Sequence, residues 1–191
     1  RKESSAASDV YKRQDVGSVA AMVEAESIEE LAAVDRHGQS QLCAALHTLN
    51  QGKIDAILAT KRVSMQVPCC AARKCAAWGE TPPLHTAVFS AADSVDQLTR
   101  ERSAGLVAKL AARPDVKVDA AARKTGFTAL HVAAAYGSAG AENWPLLRAL
   151  VAAGADVNAQ STRGMTALSL AVQRRAVADI GWLLENGARV D

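Results

Sequence analysis

Gly126-Phe-Thr-Ala-Leu-His-Val-Ala-Ala-Ala-Tyr-Gly137, then, past a short insertion, Leu146-Leu-Arg-Ala-Leu-Val-Ala-Ala-Gly-Ala-Asp-Val-Asn158: this stretch decides the fold. Gly126 suits a tight turn, because it takes positive φ without a Cβ clash. Thr128 is placed to cap a helix by accepting a free amide of its first turn. Leu130, Ala133 and Ala134 share one face of that helix, and the alanines let a neighbouring helix approach closely. Gly137 fits just past its end. Pro145 suits the first turn of a second helix, where its missing N–H costs nothing. Leu146, Leu147, Leu150 and Val151 recur at spacings of three and four, the signature of an amphipathic helix. Gly154 ends it, and Ala155 to Asn158 turn the chain onward.

One helix pair of this kind cannot bury its apolar faces alone; it needs copies to stack on. The copies are present. Gly164-Met-Thr-Ala-Leu-Ser-Leu-Ala171 repeats the start and Trp182-Leu-Leu-Glu-Asn-Gly-Ala-Arg-Val-Asp191 the end. Thr81-Pro-Pro-Leu-His-Thr-Ala87 is another start, and Gly38-Gln-Ser-Gln-Leu-Cys-Ala-Ala45 a fainter one. The pattern resembles the ankyrin repeat, whose Thr-Pro-Leu-His-x-Ala signature sits in a unit of about 33 residues. The resemblance is strong from Glu80 onward, weaker from Asp15 to Thr60, and absent before Asp15. It implies an all-α solenoid of stacked helix-turn-helix repeats with hairpin-like loops between them. The approximate repeats are 15–34 (partial), 35–78, 79–122, 123–160 and 161–191.

The motif leucines Leu42, Leu84, Leu130 and Leu168 are 42, 46 and 38 residues apart. The excess over a standard repeat is expected in loops, notably Ala91 to Ala104, since stacked helices have nearly fixed length. Within that stretch Ser94 and Gln97 have the spacing of a capping box, which would lengthen the second helix toward Leu106, Val107 and Leu110. From Thr60 to Gly79 the pattern lapses, and the alternation of Val63, Met65 and Val67 predicts an extended or hairpin segment. Arg1 to Gln14 lacks periodicity and is expected to be disordered. Its Ser4–Gln14 run also resembles adapter-derived read-through and contributes nothing to the expected fold. With no initiator Met, the chain is expected to be a fragment.

Composition fits an interaction module. Hydrophobic residues make up 49% of the chain but aromatics only 4%, so the core must be built from Ala, Leu and Val. The 22 basic and 20 acidic residues nearly cancel, which argues against nucleic acid as the partner. No apolar run reaches the roughly 18 residues of a membrane span, and Arg1–Gln14 is too polar for a secretory signal. An intracellular setting, cytoplasmic or nuclear, and a monomeric chain are expected.

Catalytic signatures are missing. There is no phosphate-binding Gly-x-x-x-x-Gly-Lys, no His-Glu-x-x-His and no Gly-x-Ser-x-Gly; no enzyme activity and no cofactor are expected. Gly137-Ser-Ala-Gly140 follows a helix and reads as a loop. Cys69, Cys70 and Cys75 cluster without a Cys-x-x-Cys pair or a fourth ligand, so they are expected as reduced loop thiols rather than a zinc site. Cys43 reads as a buried free thiol. His85 and His131 are the tempting ligands, but the resemblance implies a structural histidine bonded to the backbone of adjoining turns.

The resemblance further implies a concave face made of finger tips between repeats and the exposed side of each first helix. By position the fingers are Arg36, His37 and Gln39; Trp78; Lys124, Thr125 and Phe127; and Thr162, Arg163 and Met165. The first-helix positions are His47, Phe89, Ala135, Tyr136, Gln173 and Arg174. From these, Arg36, His37, His47, Phe89, Lys124, Phe127, Tyr136, Arg163, Met165, Gln173 and Arg174 are the expected partner-binding set. Their basic and aromatic character points to a protein partner with an acidic, partly apolar segment. The alternative is a targeting module of a larger enzyme or channel.

Overall fold

The computed structural model describes residues 41–59, 81–93, 97–136 and 143–190. The regular elements among them are all α-helices: α1 (Gln41–His47), α2 (Gln51–Ala59), α3 (Pro83–Ala92), α4 (Gln97–Ala111), α5 (Ala129–Ala135), α6 (Trp144–Ala152), α7 (Ala167–Arg174) and α8 (Val177–Glu185). Successive helices pair, α1 with α2 and so on to α7 with α8. The pairs stack in register. α1, α3, α5 and α7 form an inner row, each touching the next, and α4, α6 and α8 form an outer row behind it. The expected all-α solenoid is therefore what the described residues form.

Small residues make this stacking possible. On α5, Ala129, Val132, Ala133 and Ala134 are wholly buried beside Leu130 and His131. A seven-residue helix buried on nearly all sides needs alanines, because its neighbours α3 and α7 press on opposite flanks. The outer helices need less of this. α6 buries Leu146, Leu147 and Leu150 and leaves Arg148 and Ala152 to solvent. Local signals set the boundaries. Pro145 sits in the first turn of α6, and Gly154, one residue beyond the Ala153 cap, has φ of +95°. Leu42, Ala45, Leu46, Ile54 and Ile57 are buried in the α1–α2 pair.

Two expectations need correction. Ala91 to Ala104 is not all loop: the lengthening of the second helix expected from the Ser94–Gln97 spacing is present at 97–104. Ala91 and Ala92 finish α3, and 97–104 form the first two turns of α4, which runs 15 residues where α6 and α8 have nine each. The run Gln97-Leu-Thr-Arg-Glu-Arg102 holds good helix formers and no glycine or proline, so the excess length extends a helix. Arg100 and Ser103 in this extension are buried, with the Ser103 hydroxyl donating to the Thr99 carbonyl at 2.7 Å, while Leu98 is exposed. Second, Cys43 is buried but is disulfide-bonded, not the free thiol expected.

Several expectations lie outside the described residues: the leader 1–14, the partial repeat 15–34, Arg36, His37, Gln39 and Trp78, the 60–79 segment with its three cysteines, Ser94, and the Gly137–Gly140 turn. For α5 the packing yields a firm expectation. Leu130 is 1% exposed and lies between two helices, so Leu130→Ala should cost about 2–5 kcal/mol in urea unfolding. An unchanged midpoint would remove it from the core.

Candidate functional site

Two finger-like turns project between the inner helices. In the first, the Gly126 amide donates to the Ala122 carbonyl at 2.8 Å and the Ala122 amide to the Phe127 carbonyl at 2.7 Å. In the second, the Gly164 amide donates to the Ser161 carbonyl and the Ser161 amide to the Met165 carbonyl, both at 2.9 Å. Gly126 and Gly164 have φ of +68° and +70°. At Gly126 the requirement is also steric, because a Cβ would lie 2.7 Å from the Thr162 amide nitrogen. The two fingers are knitted together there: both the amide and the hydroxyl of Thr162 donate to the Thr125 carbonyl, at 3.1 and 2.8 Å.

Buried histidines fix the bases of the fingers. His131 Nε2 lies 2.8 Å from the Met165 carbonyl, and His85 Nε2 lies 2.7 Å from the Phe127 carbonyl. A carbonyl can only accept, so Nε2 carries the proton in both rings. In His131 the other nitrogen accepts from the Thr128 amide at 3.2 Å and meets the Thr128 hydroxyl at 2.8 Å. That pair caps α5, so one ring holds its own helix start and the next repeat's finger. Ser169 takes the same place in α7: its hydroxyl accepts from the Thr166 amide at 3.0 Å, and its amide donates to the Thr166 hydroxyl at 3.3 Å.

The third repeat breaks this pattern, and its extra proline is the reason. Pro82 stands at the cap of α3, where Thr128 and Thr166 stand in the later repeats. Proline has no amide to give. His85 Nδ1 is consequently buried with no hydrogen-bond partner. Burial pushes the His85 pKa down to about 4, against the opposing pull of the Phe127 carbonyl, with His131 lowering it further. Burial also lowers His131, opposed by the Met165 and Ala159 carbonyls. Neutral imidazoles locked by backbone carbonyls are structural groups.

The expected partner-binding residues do not share one environment. Lys124 and Arg163 are exposed at the finger tips, Phe127 and Met165 are half-buried beneath them, and Gln173 is exposed on α7. The Phe127 ring stacks on His131 with centroids 5.3 Å apart, so the finger's apolar side chain rests on the ring that holds the next finger. Tyr136 is half-buried, its ring set edge-on to Phe89 at 5.0 Å. Phe89 is buried, only 8% exposed, and cannot be the surface contact expected of it. His47 ends α1, and nothing further is described of its side chain.

Arg174 is the other correction. Its side chain is 11% exposed and forms an ion pair with Asp179, which is fully buried. It also donates to the Tyr136 carbonyl. Burial lowers its pKa, while the Asp179 carboxylate acts the other way and Arg100 adds to the lowering. With α6 and α8 aligned on Gly154 and Gly187, Asp179 takes the place of Leu146, an apolar core position. The sequence reading passed over this carboxylate, although that alignment would have shown a charge where a leucine belongs. Asp179 Oδ1 accepts from the Asn143 amide at 2.8 Å, and the Asn143 side chain donates to the Ala133 and Tyr136 carbonyls. Asp179 and Arg174 of one repeat thus grip Asn143 and Tyr136, the two described ends of the preceding repeat's inserted segment.

Comparison with known proteins agrees with this geometry. Residues 99–191 match the family model for ankyrin repeats, in three copies. No curated protein matches significantly. Among solved structures, the ankyrin repeat domain of Bcl-3, described as a unique member of the IkappaB protein family, matches with a TM-score of 0.66 at 24% identity. The match covers 91% of this chain and 66% of that one, so this chain spans just under two thirds of that neighbour's length. Ankyrin repeats are in general protein–protein interaction modules. Among the described residues, no helix is long and apolar enough to cross a membrane.

Three measurements check these assignments. Pro82→Thr restores the cap and an amide donor for His85, so it should stabilise the chain by about 1 kcal/mol; a lower melting temperature would refute the account of the orphaned nitrogen. The unfolded chain protonates His85 near 6.5 and the folded chain near 4. Between those values the unfolded state holds more protons. Stability should therefore be whole above about pH 6.5 and fall, by about 3 kcal/mol in all, as pH drops to about 4; His85→Gln should flatten that slope. Asp179→Ala strands a buried guanidinium and should cost about 3–5 kcal/mol. Asp179→Leu with Arg174→Tyr, copying the preceding repeat, should recover part of it, and equal losses in both variants would contradict the ion-pair assignment.

Proposed function

We propose, from the match of residues 99–191 to the ankyrin-repeat family model, that the chain is a non-catalytic scaffold that binds a protein partner across its finger tips and inner helices. The observation that carries the reading is the construction of the two fingers. Their described residues, 122–127 and 161–165, include Arg123, Lys124 and Arg163 and no acidic residue. Lys124 and Arg163 stand exposed beside half-buried Phe127 and Met165. The backbone beneath is held by His85, His131 and the Thr125–Thr162 bonds. A surface already rigid loses little entropy on binding.

Cationic tips over apolar side chains fit an acidic, partly apolar segment of a partner. The positive field would steer it and the apolar floor would retain it. Nucleic acid would need many more phosphate contacts than three cations supply. Gln173 extends the surface onto α7, and Tyr136 contributes its exposed edge. Phe89 and Arg174 support the surface from beneath.

The test is affinity capture with the whole chain at low and moderate salt, with the captured proteins identified by mass spectrometry. Lys124→Ala together with Arg163→Ala should weaken the main captured partner by more than about tenfold, on the order of 1.4 kcal/mol or more. The melting temperature should stay nearly unchanged, and wild-type binding should weaken with salt. If the double variant captures the same proteins normally while Leu98→Glu on the α4 extension abolishes capture, the finger face is not the binding site.

A further inference from the structure

The turn that closes α7 holds a residue its backbone does not favour. Arg175 has φ of +58° and ψ of +33°, a left-handed conformation in which an L side chain crowds the following carbonyl and glycine does not. The bonding demands it: the Arg175 amide donates to the Val172 carbonyl at 2.9 Å and the Ala176 amide to the Ala171 carbonyl at 3.1 Å, which closes the helix end. Seven residues past the motif leucines Leu42, Leu130 and Leu168, this position holds Leu49, Gly137 and Arg175. Leu49 also has positive φ, +49°, and offsets it by packing half-buried against the core. Arg175 has no such compensation. It is exposed, and its guanidinium makes no hydrogen bond or ion pair among the described residues. The buried Asp179 carboxylate is engaged by Arg174. The helix dipole favours a cation at this end, yet Arg174 already supplies one in the last turn. The turn lies off the stack axis: in the α1–α2 pair, which α3 follows, Thr48 and Asn50 of the same turn are exposed too. A strained residue whose side chain is left in solvent points to a use outside the fold.

We propose that Arg175 is a second anchor for an acidic group of the protein partner, at the opposite end of α7 from the Arg163 finger. The inference rests on the finger-face reading and specifies its ligand: an extended segment with two acidic residues, one for each end of the helix. A guanidinium takes a carboxylate through two parallel N–H···O bonds. From Ser161 to Ala178 the chain holds Arg163, Arg174 and Arg175 and no acidic residue, so nothing in that stretch competes with a partner's carboxylates. α7 sets the spacing. Its eight residues span about 12 Å. Arg163 stands four residues before it and Arg175 directly after it, which puts the two positions on the order of 15–20 Å apart. An extended chain rising about 3.3 Å per residue covers that in roughly five or six residues. The floor between the anchors is not uniform. Met165 is half-buried beside the finger, and Gln173 is exposed near the helix end. The segment's apolar residue therefore belongs beside the acid that meets Arg163, and the Gln173 amide can pair with the segment's backbone nearer Arg175.

The probes are fluorescein-labelled peptides with two glutamates held apart by one to nine residues, a leucine beside one glutamate and serines elsewhere. Binding to the whole chain is read by fluorescence anisotropy. Affinity should peak with four or five residues between the glutamates, and there exceed that of a one-glutamate peptide by about tenfold. Arg175→Gly should lose that gain and bind both peptides alike, while melting about 2–4 °C higher because the strain is relieved. Arg175→Asn, uncharged and tolerant of the left-handed conformation, should lose the same gain. Affinity that ignores the spacing overturns the proposal. So does an Arg175→Gly variant that melts lower and binds like wild type, since Arg175 would then serve the fold alone. Lys124→Ala with Arg163→Ala separates the two readings. If that variant weakens binding and Arg175→Gly does not, only the second anchor is lost. If it binds every peptide like wild type, or if wild type binds none of them, the finger-face reading fails and this inference fails with it.

Discussion

One hydrogen bond recurs through the structure and holds its parts in register: the Nε2 proton of a buried histidine given to a carbonyl at the base of the next finger. His85 gives it to Phe127 and His131 to Met165. Each bond spans two repeats, so it ties the start of one helix pair to the loop that opens the next. It also explains why the fingers can carry function. A loop of glycine, serine and threonine would ordinarily sample many states, at a cost of roughly 1–2 kcal/mol per residue to order. Here the backbone is ordered before any partner arrives.

Repeat arrays distribute stability as local terms plus nearest-neighbour terms, so departures from the repeat pattern have local consequences. Pro82 removes an amide from the third repeat and leaves a buried nitrogen unpaired. Asp179 puts a carboxylate where the preceding repeat has Leu146, and Arg174 comes with it. A buried ion pair is seldom more stable than the aliphatic packing it replaces. Its return here is positional: the pair reaches back to Asn143 and Tyr136 and fixes the ends of an insertion that an aliphatic side chain could not hold. The longer α4 is a third departure. Its overhang adds helical surface that the other outer helices lack.

Two surfaces of different chemistry result. The finger tips are cationic over an apolar floor and stand on backbone held from beneath. On the last helix pair Val172, Val177 and Leu184 are aliphatic and exposed.

Sequence alone determined the repeat architecture, the buried alanine and leucine positions, the caps and the turn glycines. All of these depend on residues close together in the chain, where spacing and propensity carry the information. The exposed Lys124 and Arg163 were legible for the same reason, as tips of short turns. Tertiary structure alone decided the rest. Phe89 is buried because Tyr136 of the next repeat lies against it. Arg174 is neutralised because α8 brings Asp179 to it. The lengthening of α4 was by contrast legible locally, since nothing in Gln97 to Arg102 stops a helix. Whether a side chain faces solvent or another repeat depends on a neighbour some 30 to 50 residues away in sequence, and local pattern holds no record of that neighbour's side chains.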